Sequence, residues 1–542
     1  MSIRMRLLLA ALSGLLLGIS FQPSTLYTSA YVGLLPLLFM LETSKGFWQS
    51  LRYSYLAFFI FHCCIVYWTG GFVHAKDPWM MAAGAALLIF HPLFYVAVIA
   101  IYLLFRKRLG AILAIIGFPF LWTSYEYSHS LGEFSFPWLT LGNSQAYDLY
   151  RSQIIEYTSV YGLSFLIVLI NAILFLLILV LTKNGWKWKS PIPIAMIVVL
   201  FILYSIPYGY GFWKMQQVQS RRPNKQMTVA MIQPNLDPWE KWGKDYSGRW
   251  NSYTMQLQTY LQKTKELAAS KPDLIIWPET AIPFRILAPR YQQYYQYLRQ
   301  SLDETGIPVF TGLAHTEFYD SSHAPLTANR SIEPGVYYDD FNSTALLLPY
   351  APVTQIYKKI VLVPYAERIP YAESFRFLIE PLKWNVGIGM WGIGKDTIVF
   401  SMPLRNDSVR FAGIICYESV YPNFIREFTK RGVQFLIVVS NDSWWGNTSG
   451  AYQHVSIASL RAIENRRWIL HCTNGGISGF IDPSGRIHKA TPLFTSTTLA
   501  QQISIEDELT FYAKNGDLFA QTCVAVLLCM SIGAVAVNRK KG

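Results

Sequence analysis

Residues 409–419 read VRFAGIICYES. The first seven form an apolar, strand-like run that ends on a thiol, Cys416, with a carboxylate, Glu418, two places further on. Side chains two apart on an extended chain point the same way, so the spacing predicts that Cys416 and Glu418 share a face. A reactive type of residue at the end of a buried strand is the arrangement of open α/β folds, where ligands gather at strand carboxyl ends.

Working outward, further strand-like runs lie at 228–233, 273–277, 307–313, 343–348 and 434–440. Helical patterns lie between some of them, at about 250–269, 290–304, 422–430 and 451–466. The alternation predicts an α/β sandwich over 228–505 and excludes an all-β fold. Two more polar positions stand near strand ends. DLIIWPET (273–280) places Glu279 after a Trp-Pro turn, and YKKIVLVPYAE (357–367) supplies Lys359 and, eight residues later, Glu367. The polar, Pro- and Gly-containing stretch 316–340 reads as a long loop or arm.

Outside this domain the chain is apolar. Across its 542 residues, 52% are hydrophobic and 15% charged, against about 25% charged in soluble domains. Candidate membrane spans fall at about 5–21, 27–41, 52–70, 79–105, 109–125, 161–182, 191–208 and 517–537. The pattern predicts a membrane domain of seven helices over 1–208, a linker at 209–227, and a last transmembrane helix within 506–542, followed by a basic tail. Residues 1–20 also have the basic start and short apolar core of a signal peptide, but the closely spaced spans that follow favour a retained helix.

The formal charge of +13 invites a nucleic-acid partner until its location is traced. With the N-terminus inside, the inside segments hold Arg4, Arg6, Lys45, Arg52, Arg106–Arg108, Lys183, Lys187, Lys189 and Arg539–Lys541, whereas the short outside segments hold only Lys76 and Arg151. This is a positive-inside bias. It places both termini in the cytoplasm and the long 209–516 segment on the outer side. That segment keeps a surplus of only about +5 and has no basic run interleaved with aromatics, which removes the case for nucleic acid. The six cysteines form no CxxC pair and no Cys/His zinc spacing, so neither a disulfide framework nor a metal site is expected. His62, Cys63 and Cys64 are consecutive in one apolar helix and face different directions.

A thiol, a lysine and carboxylates converging at strand ends would make a nucleophilic site. The thiol, with a reference pKa of about 8.5, needs a base or a nearby cation to become a good nucleophile. Glu279 would take its proton, and Lys359 would stabilise the thiolate and then an oxyanion. Each residue also has a plainer reading: Cys416 as a small buried side chain, Glu279 as a turn carboxylate, Lys358 and Lys359 as a solvated pair.

The motifs WPET (277–280), YKKIVLVPYAE (357–367) and GIICYES (413–419) resemble, in order, the three catalytic motifs of the nitrilase or carbon–nitrogen hydrolase superfamily. SNDSWWG (440–446) and TNGGISGFIDPSGRI (473–487) look like its later strands. With the membrane frame, and with GLLPLL (33–38), FPWLTLGNSQ (136–145) and EYTSVYGLSFLIVLIN (156–171), the chain resembles the superfamily's membrane-bound branch, the apolipoprotein N-acyltransferases.

The resemblance implies an α-helical frame of eight transmembrane helices carrying an α-β-β-α sandwich in a bacterial inner membrane. It implies Glu279 as general base, Lys359 as the triad lysine and Cys416 as nucleophile. The register Lys-x-x-Leu-Val-Pro selects Lys359 over Lys358. Glu367 and Glu418 match supporting carboxylates, and Trp242, Tyr417 and Trp444 match aromatics for which sheet packing and substrate contact are equal readings. It also implies a phospholipid acyl donor, a diacylglyceryl apolipoprotein acceptor, and no cofactor or metal. Ala366 and Pro234 stand where the family has Gly. The alternatives are a membrane-tethered amidase that passes the acyl group to water, and an inactive lipid-binding scaffold. Seven spans ahead of the domain argue against the first, and the complete triad argues against the second.

Overall fold

In the computed structural model, residues 1–542 are described except for 73–76, 222, 224, 242–251, 327, 375–390 and 540–542. Strands β1 (Gln226–Gln233), β2 (Leu274–Ile276), β3 (Val309–Asp320), β4 (Asn329–Arg330), β5 (Val336–Leu347), β6 (Gln355–Lys358) and β13 (Thr497–Ser504) form one sheet in the order β13-β1-β2-β3-β5-β4, with β6 beside β5. The second sheet runs β12-β11-β10-β9-β8-β7, from β7 (Phe400–Leu404), β8 (Asp407–Ile415), β9 (Phe435–Ser440), β10 (Ile469–Thr473), β11 (Gly479–Ile481) and β12 (Ile487–His488). The central strands of each sheet, β1-β2-β3 and β8-β9-β10, are parallel.

Period-two alternation builds the layers. Val229 and Met231 of β1 join Phe411 and Ile414 in the core between the sheets, while Ala230 and Ile232 face the other way. There they meet helices α9 (Tyr253–Ala268) and α10 (Gln292–Thr305), through Leu257, Tyr260, Leu298 and Leu302. Helices α11 (Pro422–Lys430) and α12 (Ser449–Asn465) cover the second sheet. The order is therefore helix, sheet, sheet, helix.

The stretch 316–340 is not a loop throughout. β3 and β5 pair antiparallel from Val309↔Leu347 out to Asp320↔Val336, so the arm is largely a β-ribbon. Its outer residues mix charged with aromatic side chains and carry no apolar alternation, which is why the sequence signal stopped near residue 313.

The N-terminal region is helical: α1 (Ile3–Gly18), α2 (Leu35–Thr43), α3 (Phe47–Ile65), α4 (Pro78–Phe90), α5 (Pro92–Leu109), α6 (Ala111–His129), α7 (Val160–Lys183) and α8 (Pro191–Ser220). The segment 27–41 is broken into short helical pieces instead of one continuous helix. Among the described residues, four stretches are long and apolar enough to cross a membrane: 78–109, 160–183, 191–220 and 518–537. Helix α8 continues to Ser220 through most of the stretch expected as a linker, because nothing after Pro207 breaks its hydrogen bonding. The last helix, α13 (Leu518–Arg539), returns to pack beside α5 and α6. Outward-facing Ile112, Phe201, Ile206 and Ile532 are exposed, an apolar surface that water would not favour. Close helix packing inside the frame depends on small residues. A Cβ on Gly14 of α1 would come within 2.3 Å of the Ala57 carbonyl oxygen of α3.

Candidate active site

The site lies where strand ends of the sandwich meet the helical frame. Glu279 follows β2 on a turn clamped against β3. The Gly312 N–H donates to the Pro278 carbonyl at 3.2 Å, and a Cβ on Gly312 would sit 2.7 Å from the Glu279 Cα. Only glycine permits that approach. Lys359 stands one residue past the end of β6, its N–H donating to the Asn342 carbonyl at 2.9 Å.

The Lys359 ammonium is fully buried between two carboxylates, 2.8 Å from Glu367 Oε2 and 3.8 Å from Glu279 Oε1. Asn342 Nδ2 bridges the same pair, donating to Glu279 Oε1 at 2.7 Å and to Glu367 Oε1 at 3.3 Å. The Val363 N–H fixes the other Glu367 oxygen at 2.8 Å. Burial raises the Glu279 pKa above the ordinary carboxylate range, and the neighbouring Glu367 adds to the rise against the pull of Lys359. The two carboxylates hold the Lys359 pKa above its usual value despite burial. Burial pushes the Cys416 thiol well up, with Glu279 adding to the rise and Lys359 opposing it. The thiol is thus protonated at rest, and a neighbouring base has to take its proton as it attacks.

Cys416 does not continue β8. It sits at φ +51°, in the left-handed region, and opens a tight turn over Cys416–Val420. The predicted shared face with Glu418 is therefore not formed. The Glu418 carboxylate instead folds back to accept the Ile415 N–H at 2.9 Å, the Ile360 N–H at 2.7 Å, the Val361 N–H at 3.1 Å and the Tyr357 hydroxyl at 2.6 Å. Satisfying those buried donors favours the turn over further strand. Glu418, which burial pushes up to about 7, joins the backbone after Lys359 to the backbone before Cys416. Removing its carboxylate in Glu418→Ala orphans three N–H groups at about 1–3 kcal/mol each. We expect a loss of several kcal/mol in denaturant unfolding, with Glu418→Gln recovering part of it.

A cavity of about 170 Å³ connects these groups. Glu279, Lys359, Glu367 and Cys416 line it from the sandwich; Trp68, Thr69, Met80, Phe136 and Trp138 line it from the helical frame. Tyr417 and Trp444 also line it. Tyr417 donates to the Ser135 carbonyl at 3.0 Å and stacks on Phe136, while Trp444 packs edge-on against Trp239. Trp242 lies outside the described residues. The Ala366 substitution is mild, since the positive φ of this loop falls on Tyr365.

Sequence reasoning missed Asn342, because its strand-like run was read only from residue 343. It also missed Lys241, a buried amine donating to Thr280 Oγ1 at 3.1 Å, which burial lowers to about 8. The frame's contribution to the cavity was not read from sequence: Trp68 reads as an ordinary apolar residue, and Phe136 and Trp138 lie in the FPWLTLGNSQ motif without a role that the motif itself assigns. Among the described residues one cluster has the composition of a metal site: Asp442, His454 and His471. Asp442 Oδ1 and His454 Nδ1 are hydrogen-bonded to each other at 3.0 Å, and His454 Nε2 faces the Cys416 carbonyl at 3.2 Å, so this cluster is engaged in the nucleophile's own turn.

Over residues 228–508 the chain matches the carbon–nitrogen hydrolase family, which makes the sandwich a nitrilase-type domain. Residues 13–173 match the apolipoprotein N-acyltransferase N-terminal domain. A relative from Chlorobaculum tepidum named apolipoprotein N-acyltransferase is 34% identical, over 98% of this chain and 97% of its own. One of the same name from Geobacter metallireducens is 31% identical, over 98% and 95%. Among solved structures, an amidase from Nesterenkonia sp. is 14% identical, with a TM-score of 0.35, over 53% of this chain and 92% of its own. The chain belongs to the apolipoprotein N-acyltransferase family, and it is an acyltransferase.

Proposed function

We propose that the protein moves an acyl chain from a membrane phospholipid, through a thioester on Cys416, to the α-amino group of an N-terminal diacylglyceryl-cysteine, the last step of bacterial lipoprotein maturation. The observation that carries this reading is the shared cavity: its reactive wall comes from the sandwich and its apolar wall from the helical frame. A soluble-substrate amidase would have no need of the second wall.

In the first half-reaction Glu279 accepts the thiol proton as Sγ attacks the ester carbonyl carbon. Lys359 offsets the charge that develops on the carbonyl oxygen. The C–O bond breaks, Glu279 returns the proton to the departing alkoxide, and a lysophospholipid leaves. In the second, the amine attacks the thioester, Glu279 accepts a proton from the resulting ammonium, and the C–S bond breaks to regenerate the thiol. Glu367 holds Lys359 in place, and Glu418 braces the turn. Tyr417 and Trp444, which line the cavity, offer acyl chains an apolar surface beside the thiol. Eight spans in the inner membrane, both termini cytoplasmic and the sandwich on the outer side, fit the basic residues counted above.

Mass spectrometry of purified protein mixed with phospholipid tests the proposal. An acyl mass on the Cys416 peptide, released by a lipopeptide amine and not by water, is expected; release by water alone would favour an amidase. The pH profile gives a second test. Since Glu279 acts as a base, acylation falls as pH drops through its raised pKa, giving an acid limb above the ordinary glutamate value of about 4.3. Glu279→Gln is expected to remove that limb and to slow acylation by roughly 10²–10⁴-fold in single-turnover assays.

A further inference from the structure

The nucleophile's turn is held from behind by a pair of adjacent residues on α12. Gln453 faces the helical frame. Its Oε1 accepts from Trp138 Nε1 at 2.8 Å and Trp68 Nε1 at 3.2 Å, and its Nε2 donates to the Gln22 and Ile65 carbonyls, each at 3.2 Å. Two donors and two acceptor positions are all a side-chain amide has, and every one is used on the frame. His454, the next residue, is fully buried and faces the Cys416 turn. Its Nδ1 lies 3.0 Å from Asp442 Oδ1; its Nε2 lies 2.9 Å from Ser419 Oγ and 3.2 Å from the carbonyl oxygen of Cys416 itself. Ser419 Oγ donates to the same carbonyl at 2.7 Å. Trp138 and Trp445 pack against the imidazole, and both also line the cavity.

We infer that His454 is a positioning residue for Cys416, and that Gln453 and His454 together set the nucleophile's turn by reference to the membrane frame. A non-glycine residue at φ +51° is strained, and surrounding contacts have to hold it there. The Cys416 carbonyl, which already accepts from Ser419 Oγ, is the natural handle, and the imidazole, fixed in orientation by the Asp442 carboxylate, lies against it. Because Gln453 hangs the same helix segment on four frame groups, the thiol is registered against the wall along which an acyl chain enters. This gives a physical reason for the sandwich to be fused to its frame and not merely tethered to it. The inference rests on the proposed thioester chemistry.

The test is single-turnover acylation of Cys416 by phospholipid, using the full chain in detergent and thermal melts to match folded fractions. His454→Ala is expected to lower the acylation rate constant at saturating phospholipid by about 10²-fold, the scale of a small misplacement of a reacting group, without raising the half-saturating phospholipid concentration. His454→Gln, which can still donate to the turn, is expected to recover most of that loss. If His454→Ala does not fold, Asp442→Asn tests the same link and is expected to slow acylation about 10-fold. An unchanged rate constant, a change in half-saturation alone, or a Gln variant no better than Ala at equal folded fraction would overturn the inference. If the wild-type chain forms no Cys416 adduct, it is the proposed function that falls; a normal wild-type adduct with an indifferent His454 removes only the positioning role.

Discussion

Cys416→Ala should form no acyl adduct with phospholipid and should lose transfer to a lipopeptide by a factor on the order of 10⁴ or more, since removing a covalent nucleophile takes the whole two-step route with it. The other five cysteines cannot substitute. Cys472 is fully buried in β10 between the sheets, its sulfur 3.5 Å from the Ile232 carbonyl. Cys63, Cys64, Cys523 and Cys529 lie on α3 and α13. Among the described residues, Cys416 is the thiol that lines the cavity with Glu279 and Lys359. Cys416→Ser should be nearly as inactive, because a hydroxyl is harder to deprotonate and Glu279 is a weak base for it. The variant should melt with the wild type, since losing one sulfur from a cavity wall opens little new void. Transfer activity surviving in Cys416→Ala would disprove the thioester route, and loss of activity in Cys472→Ala alone would move the nucleophile.

How much of this was legible in sequence follows from where each signal lives. The strands were legible because their apolar runs are short and bounded; β8, β9 and α11 begin or end within two residues of the predicted limits. Glu279, Lys359 and Cys416 were legible as polar residues at the ends of such runs. What failed was local geometry. Glu418 was placed beside the thiol on the assumption of an extended chain, whereas four donors, three of them backbone N–H groups, pull it into a turn. The ribbon beyond residue 315 escaped because both its faces mix aromatic with charged residues, so alternation carried no information. His454 and Gln453 were read only as part of a helical pattern at 451–466. Their roles come from partners at Cys416, Asp442, Trp68 and Trp138, far away in sequence or brought close only by the fold. Tertiary contacts of that kind leave no periodic trace.

Lys359→Met is the second severe substitution, and its effect should appear in stability as well as in rate. The wild-type arrangement is one cation shared by two carboxylates inside a protein wall. Methionine fills the same volume but leaves Glu279 and Glu367 facing each other with no positive charge between them. Removing one partner of a buried ion pair costs about 3–5 kcal/mol, because the charge left behind remains desolvated. The site would relieve part of this by keeping a proton on one carboxylate, most readily on Glu279, whose pKa burial and Glu367 already raise. A protonated Glu279 cannot accept the thiol proton, so the relief itself abolishes acylation. Two measurements separate the effects. Urea unfolding of Lys359→Met should show the stability loss, smaller at acid pH, where the carboxylates are neutral, than at neutral pH. The double variant Lys359→Met with Glu367→Gln removes the like-charge repulsion and should regain part of the stability but none of the acylation. If Lys359→Met alone were as stable as the wild type at neutral pH, the ammonium would not be the counter-charge of this pair. If the double variant recovered acylation, Lys359 would be dispensable to the chemistry and its place in the mechanism would be lost.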